Sequence, residues 1–374
     1  MSLPDLAEYT FSAYAVSATA QGKVNLHLSV GDVRDDGYHE LETVFHALDL
    51  TETVTVAVDD GGPAGMTPGS RVTLGSVTGR DAGKVTAEGN LALRAATLVL
   101  DRYRDHLDHV SHLDHRDHRD HRDHRDHRDH NRAAPVPSLS VSIDKQVPVA
   151  GGMASGSADA AASLLATVEL LHGPRAAAHG FDQTPAPSPE ELHAMAVSLG
   201  ADVPFCLRGG TALGRGIGDD LVPVMIRGRY HWALVMDPRG LSIAEVFARL
   251  DTQRDAAARG ERPDVRAPAP EDVQRALLNG DPDVLAGHLR QAVNDLQAPA
   301  ISLRPDLRGT LAAGQDAGAL ACVVSGSGPT VAMLCRDRAQ AVDVATTLAA
   351  EGVGGRAVAT ATATSSPHGA RLVD

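Results

Sequence analysis

Residues 148–165 read PVAGGMASGSADAAASLL, and this stretch decides how the rest of the chain is read. Gly151, Gly152 and Gly156 remove Cβ atoms that would block a tight turn, so successive backbone N–H groups can converge on an anion. The Ala-rich run after them predicts a helix whose positive N-terminal end faces the same point. The candidate anion loop comprises Pro148, Val149, Ala150, Gly151, Gly152, Met153, Ala154, Ser155, Gly156, Ser157 and Ala158. Ser157 stands where its hydroxyl either caps the helix or reaches a phosphate-bound magnesium ion. The spacing fits neither G-x-x-x-x-G-K-[ST] nor G-x-G-x-x-G, which removes two familiar nucleotide-binding patterns. A tight turn into a buried small-residue helix uses the same residues without any ligand, so the context has to decide.

Immediately upstream, LSVSIDKQV (139–147) has strand character, giving a strand, loop, helix unit. Farther upstream, residues 14–57 alternate apolar and polar in β-branched runs, with the turn-rich DVRDDGYHE between two of them. From Asn90, NLALRAATLVLDRYR has apolar positions at helical spacing. Downstream, SPEELHAMAVSLG predicts a helix capped at Ser or Pro and stopped at Gly200. Beyond about residue 225 come a strand HWALVM, helices around AEVFARL and DVQRALLNG, the strand-rich ALACVVSGSGPTVAML, and a final helix and strand. The expected class is α+β in two lobes, 1–225 and 226–374, each with its own core. Residues 252–271 read as an exposed loop and the last ten residues as a frayed end.

The 374 residues carry a formal net charge of -14, which argues against a general nucleic-acid binder. Cys206, Cys322 and Cys335 lack metal-ligand or redox spacing and read as buried reduced thiols. No apolar stretch reaches membrane-spanning length, so a cytoplasmic protein with no membrane partner is expected. Arg has displaced Lys almost everywhere: only Lys23, Lys84 and Lys145 remain, and a surviving lysine in such a chain needs a chemical reason. Within 106–132 a histidine falls at every third position and a D-H-R repeat develops. A three-residue step spirals around an α-helix but aligns on a polyproline-like chain, so the tract reads as a metal binder or as a solvated surface repeat.

Three further segments carry candidate chemistry. In AQGKVNLHLSV, Lys23 and Asn25 lie two residues apart on one strand face, where a lysine can neutralise charge on a transferring phosphoryl group. In SLGADVPFCLRGG, Asp202 precedes Val203-Pro204, where proline disfavours helical geometry and a sharp break is expected. A carboxylate held there suits a general base for an alcohol, and equally a turn or capping residue. SGSGPT at 325–330 reads more simply as a hairpin turn than as an anion site.

Taken in order, these segments resemble the GHMP kinase superfamily, whose members pass a phosphoryl group from ATP to a small alcohol. The resemblance implies an N-terminal lobe of the ribosomal protein S5 domain 2 type followed by a ferredoxin-like lobe. It implies Lys23 and Asp202 as catalytic residues, residues 148–158 as the ATP loop with Lys145 and Asn90 nearby, and magnesium bound with the ATP. KVNLHLSVGDVRDDGYHELETVFHALDL and GADVPFCLRGGTALGRGIGD are similar to members that act on a cytidine-diphosphate-linked sugar alcohol in isoprenoid precursor synthesis. Tyr38, His39 and Phe247 would then form the cytosine pocket, and Asn25 would face the substrate. A superfamily kinase for a homoserine- or mevalonate-like alcohol and a histidine-rich metal binder are the alternatives; the oligomeric state is left open. Two positions depart from the family pattern. Ser155 stands where a glycine is usual, costing on the order of 1 kcal/mol if that position needs positive φ, and Asp159 stands where relatives often carry Asn.

Overall fold

The computed structural model describes residues 14–34, 37, 39–59, 71–117, 136–179, 181 and 184–373. Alternating β-branched residues build two long strands, β1 (Ala15–Val33) and β2 (His39–Val58), paired antiparallel. Next come β3 (Val72–Gly79), α1 (Leu91–Asp117) and β4 (Leu139–Lys145); β3 and β4 run parallel. The Gly-rich segment leads into α2 (Ser155–His172), followed by α3 (Pro189–Leu199), α4 (Val203–Arg208) and the hairpin β5 (Thr211–Arg215) and β6 (Asp220–Pro223). The second half contains β7 (His231–Met236), α5 (Ile243–Ala258), α6 (Glu271–Asn279), α7 (Pro282–Leu289), α8 (Gln297–Leu303) and α9 (Leu307–Asp316). It closes with β8 (Ala321–Val324), β9 (Val331–Cys335), α10 (Arg338–Glu351), β10 (Ala359–Thr364) and β11 (Arg371–Leu372).

The first sheet has the order β11-β1-β2-β4-β3, with β5 pairing the early half of β2 and β6 outside it. The second has the order β10-β7-β9-β8, all antiparallel. With the helical stretch α5–α9 and α10 as its two crossovers, this is the split βαβ arrangement of a ferredoxin-like lobe. On the first sheet, small residues let two helices approach closely: Ala92, Ala95 and Ala96 of α1 and Ala161 and Ala162 of α2 are fully buried in one cluster. Ser163 seals that contact by donating to the Ala92 carbonyl at 2.7 Å.

The lobes do not keep separate cores. Val24, Leu26, Val44 and Leu48 of the first sheet pack with Trp232, Leu234, Leu277 and Leu334 of the second half. Leu28 and Val30, farther along β1, join Val246, Leu296 and Leu348. A single strand thus runs through three clusters, because residues 20–28 are buried on both faces.

Other local expectations change as well. The C-terminal residues are tied down: β11 pairs with β1, and the Ala370 N–H donates to the Cys206 carbonyl at 3.0 Å, so residues 371–373 return to the first sheet. Residues 252–258 continue α5 instead of forming a loop. The break before Asp202 falls at Gly200, where α3 ends; Val203-Pro204 opens α4, because a proline in the first helical turn lacks only an N–H that has no helical partner there. The His-rich tract begins as helix, since α1 runs through Asp117, and its remainder lies outside the described residues. Among the described residues, no helix is long and apolar enough to cross a membrane, and no three His, Cys, Asp or Glu side chains are grouped to hold a metal. All three cysteines are buried and unpaired.

Candidate active site

Lys23 lies on β1 between two register shifts in the β1–β2 ladder, at Gln21/Lys23 and Asn25/His27. Irregularities of this kind re-aim side chains, and here Lys23 and Asn25 share a face. The Lys23 ammonium donates to Asn25 Oδ1 at 2.8 Å and to the Gly152 carbonyl at 3.2 Å, and Asp202 Oδ2 stands 3.5 Å away. Asn25 is fixed in turn by donating to Thr43 Oγ1 at 2.8 Å, and Thr43 donates to the His27 carbonyl at 2.7 Å. The Phe45 ring lies beneath the ammonium at 5.5 Å and stacks on Phe205 at 4.8 Å. Lys23 is nearly buried, with 6% of its side chain exposed, while Asp202 keeps 31%. Nearby Cys206 is no rival nucleophile, because burial and the Asp202 carboxylate push its thiol well up.

The glycine-rich loop turns by alternation. Ala150, Gly152 and Ala154 have φ of 54°, 75° and 61°, so every second residue is left-handed. Two of these positions are alanines, a strain of a kind concentrated at functional sites. From Gly152 through Ser157, no backbone N–H donates to a partner within the described fold. Those amides, set at the N-terminus of α2, form the concave donor surface that a polyphosphate requires. Ser155 is not among the left-handed residues, so the expected strain there is absent. Gly156 sits in the first turn of α2, and a Cβ there would meet only Leu91 Cδ1, at 3.6 Å. Its glycine is therefore not demanded by the backbone, contrary to expectation.

Lys145 stands behind the loop, not in front of it. Its ammonium, 1% exposed, reaches Glu52 Oε1 at 2.7 Å, Asp159 Oδ2 at 2.6 Å and Ser155 Oγ at 2.6 Å. Burial, working against Lys145 and helped by Glu52, raises the Asp159 carboxyl to about 7. Asn90 caps α1 by accepting the Ala92 and Leu93 N–H groups at 2.9 and 3.2 Å. Of the expected cytosine pocket, His39 and Phe247 stack at 5.2 Å with a 26° interplanar angle. His39 is also anchored to Gly31 O at 3.2 Å and Asp251 Oδ1 at 3.3 Å. Tyr38 lies outside the described residues.

Two participants were not identified from the sequence. The 325–330 turn joins β8 to β9, as a hairpin should, but it also docks on the loop: Thr330 N–H donates to the Gly151 carbonyl at 3.2 Å and Ser325 Oγ to the Gly152 carbonyl at 3.0 Å. Asn294 holds that turn by donating to the Val324 and Gly326 carbonyls at 2.9 and 2.8 Å. Glu52 is the second, and its signal was present: in TETVTVAV it occupies the inward phase with Val54 and Val56.

The geometry has counterparts among known proteins. Family models described as "GHMP kinases N terminal domain" and "GHMP kinases C terminal" match residues 124–210 and 273–354. The chain is 45% identical over 370 residues to a Corynebacterium jeikeium (strain K411) protein named 4-diphosphocytidyl-2-C-methyl-D-erythritol kinase, covering 95% of this chain and 93% of that one. It is 43% identical to the Mycolicibacterium smegmatis (strain ATCC 700084 / mc(2)155) protein of the same name, covering 96% and 92%. A crystal structure of 4-(cytidine 5'-diphospho)-2C-methyl-D-erythritol kinase superposes with a TM-score of 0.62 at 25% identity, covering 93% of this chain and 98% of that one. A homoserine kinase from Cytophaga hutchinsonii shares the fold, with a TM-score of 0.59 at 15% identity over the whole of both chains.

Proposed function

This chain belongs to the 4-diphosphocytidyl-2-C-methyl-D-erythritol kinases of the GHMP kinase family, and from that premise we propose that it transfers the γ-phosphoryl group of ATP to the 2-hydroxyl of 4-diphosphocytidyl-2-C-methyl-D-erythritol. The observation that carries the reading is the Lys23–Asp202 pair, 3.5 Å apart, beside a loop whose amides are unspent. Asp202, partly exposed, accepts the alcohol proton as the alcohol oxygen bonds to the γ-phosphorus. The bond from phosphorus to the β,γ-bridging oxygen breaks, and ADP leaves with its electron pair. Lys23 faces the developing charge from a position fixed by Asn25 and Gly152, so little reorganisation is needed when charge moves. The loop amides and the N-terminus of α2 hold the polyphosphate in line.

Magnesium fits the donor set. Ser155 is committed to Lys145 and Glu52, whereas Ser157 Oγ has no partner among the described residues and is the hydroxyl that would hold the ion. When bound, magnesium supplies charge neutralisation on the phosphates. The stacked His39 and Phe247 favour an acceptor carrying a flat base over a homoserine- or mevalonate-like alcohol.

Asp202→Asn is the decisive variant. Its kcat should fall at least 10²-fold, in the range of a lost general base, with the Kd for ATP changed less than about twofold. Turnover retained within tenfold of wild type would remove Asp202 from the base role. A wild-type enzyme that phosphorylates homoserine or mevalonate and leaves the cytidyl alcohol untouched would overturn the substrate.

A further inference from the structure

All three lysines of the chain gather at the phosphate loop: Lys23 on Gly152, Lys145 on Ser155, and Lys84 through Asp81 on Val149. An ammonium has three N–H donors. Lys23 directs two of them to Asn25 and Gly152 and turns to Asp202 at 3.5 Å, and Lys145 directs all three to Glu52, Asp159 and Ser155, so neither buried lysine reaches the outer phosphates. Residues 148–158 contribute no charged side chain of their own. A triphosphate resting on this loop has, besides magnesium and Lys23 at its reacting end, room for a lysine at its outer end.

Lys84 fits that place. It ends a 3-10 turn, Ala82–Lys84, that follows Asp81, a residue in left-handed conformation with φ 55°. One carboxylate joins the lysine to the loop: Asp81 Oδ1 pairs with Lys84 Nζ at 2.7 Å, and Oδ2 accepts the Val149 N–H at 3.3 Å. Lys84 Nζ also donates to the Pro238 carbonyl, in the segment that follows β7. The same segment presses on the loop, since a Cβ at Gly240 would lie 3.1 Å from Ala150 Cβ. Lys84 thus stands at the mouth of the loop between the two lobes. Its side chain is 41% exposed, with two partners among the described residues for its three donors. An ion pair as exposed as the one to Asp81 is held weakly and yields to a stronger anion.

We propose that Lys84 is a nucleotide-binding residue whose ammonium pairs with the polyphosphate of ATP at the outer end of the loop. This deepens the kinase reading and rests on it. Lys23 then serves the reacting end, Lys145 holds the loop from behind, and Lys84 holds the phosphates from outside. Asp81 keeps its bond to Val149 throughout, so the loop stays shaped while the lysine changes partner.

The test compares full-length wild type, Lys84→Met and Lys84→Arg by calorimetric titration with MgATP and with AMP, alongside initial rates. Lys84→Met should weaken ATP about tenfold, with AMP affinity and the KM of the cytidyl alcohol within twofold of wild type, and Lys84→Arg should recover most of the loss. The salt dependence of ATP binding should also become shallower in Lys84→Met. A lysine that only ties the lobes together would instead lower the melting temperature and raise both KM values. That pattern, or ATP affinity in Lys84→Met equal to wild type, overturns the proposal. Wild-type protein that binds no ATP overturns the kinase reading itself.

Discussion

Beneath the phosphate loop two carboxylates share one ammonium, and the count matters more than any single distance. Glu52 and Asp159 both lie within 2.7 Å of Lys145 Nζ, so the buried cluster carries one negative charge too many when fully ionised. The Asp159 carboxyl, raised from 3.8 to about 7 chiefly by burial, keeps a proton that the unfolded chain has already released. Stability from this group is therefore present at low pH and is lost as pH rises from about 4 through 7. Asp159→Asn removes the surplus charge and leaves Lys145 with Glu52 in a balanced pair. The variant should be at least as stable as wild type at pH 8, with its advantage shrinking toward pH 5. Lys145→Met leaves two buried carboxylates facing each other and should cost about 3–5 kcal/mol at pH 8. Urea midpoints measure both, and equal losses in the two variants would refute the charge count.

At the scale of elements, the loop and the 325–330 hairpin act as one unit, and their glycines separate into two kinds. Gly152 has φ 75°, and a Cβ there would fall 2.1 Å from the Ser325 carbonyl oxygen and 2.8 Å from the Gly328 nitrogen. Gly152→Ala should therefore separate loop from hairpin, with a stability loss of at least about 2 kcal/mol and loss of ATP binding. Gly156→Ala meets no clash, so its melting temperature should stay at or above that of wild type. A fall in ATP affinity without a fall in stability would then mark Gly156 as a position kept bare for the ligand. The loop, α2 and the strand pairing Lys23 with Asn25 were legible in the sequence because their signals are local: glycine spacing, an Ala-rich run and period-two alternation. The docking of residues 325–330 was not, because it joins positions more than 170 residues apart and leaves no mark on either segment alone. Helices α7 and α8 escape for another reason: at 8 and 7 residues they give too few turns for a periodic pattern. Asp202 is legible as well: the helix before it stops at Gly200 as the sequence implies, while the proline after it starts α4 instead of breaking the chain.

Across the whole molecule the continuous core and the buried histidines together set the response to acid. Because β1 runs through three apolar clusters that span both lobes, the lobes should unfold in a single transition. His27 and His46 are fully buried, and burial lowers each to about 4; His172 and His288 are lowered too, mainly by burial. A histidine kept neutral in the fold gains its proton only on unfolding, so its contribution is intact above about pH 6.5 and drains away as pH falls toward 4. At pH 5 this amounts to about 2 kcal/mol for each of His27 and His46. Asp159 works in the opposite direction over the same window, but it is one group against four. The urea midpoint should therefore drop between pH 7.5 and pH 5. His27 isolates the cause, because neither of its ring nitrogens has a hydrogen-bond partner among the described residues, whereas His46 is bonded to Thr211 at 2.8 Å and Ser365 at 3.0 Å. Replacing an unbonded buried imidazole by an apolar side chain of similar size forfeits no hydrogen bond. His27→Leu should thus lie within about 1.5 kcal/mol of wild type at pH 7.5 and lose less than wild type on going to pH 5. An identical drop in both proteins would show that the acid sensitivity arises elsewhere.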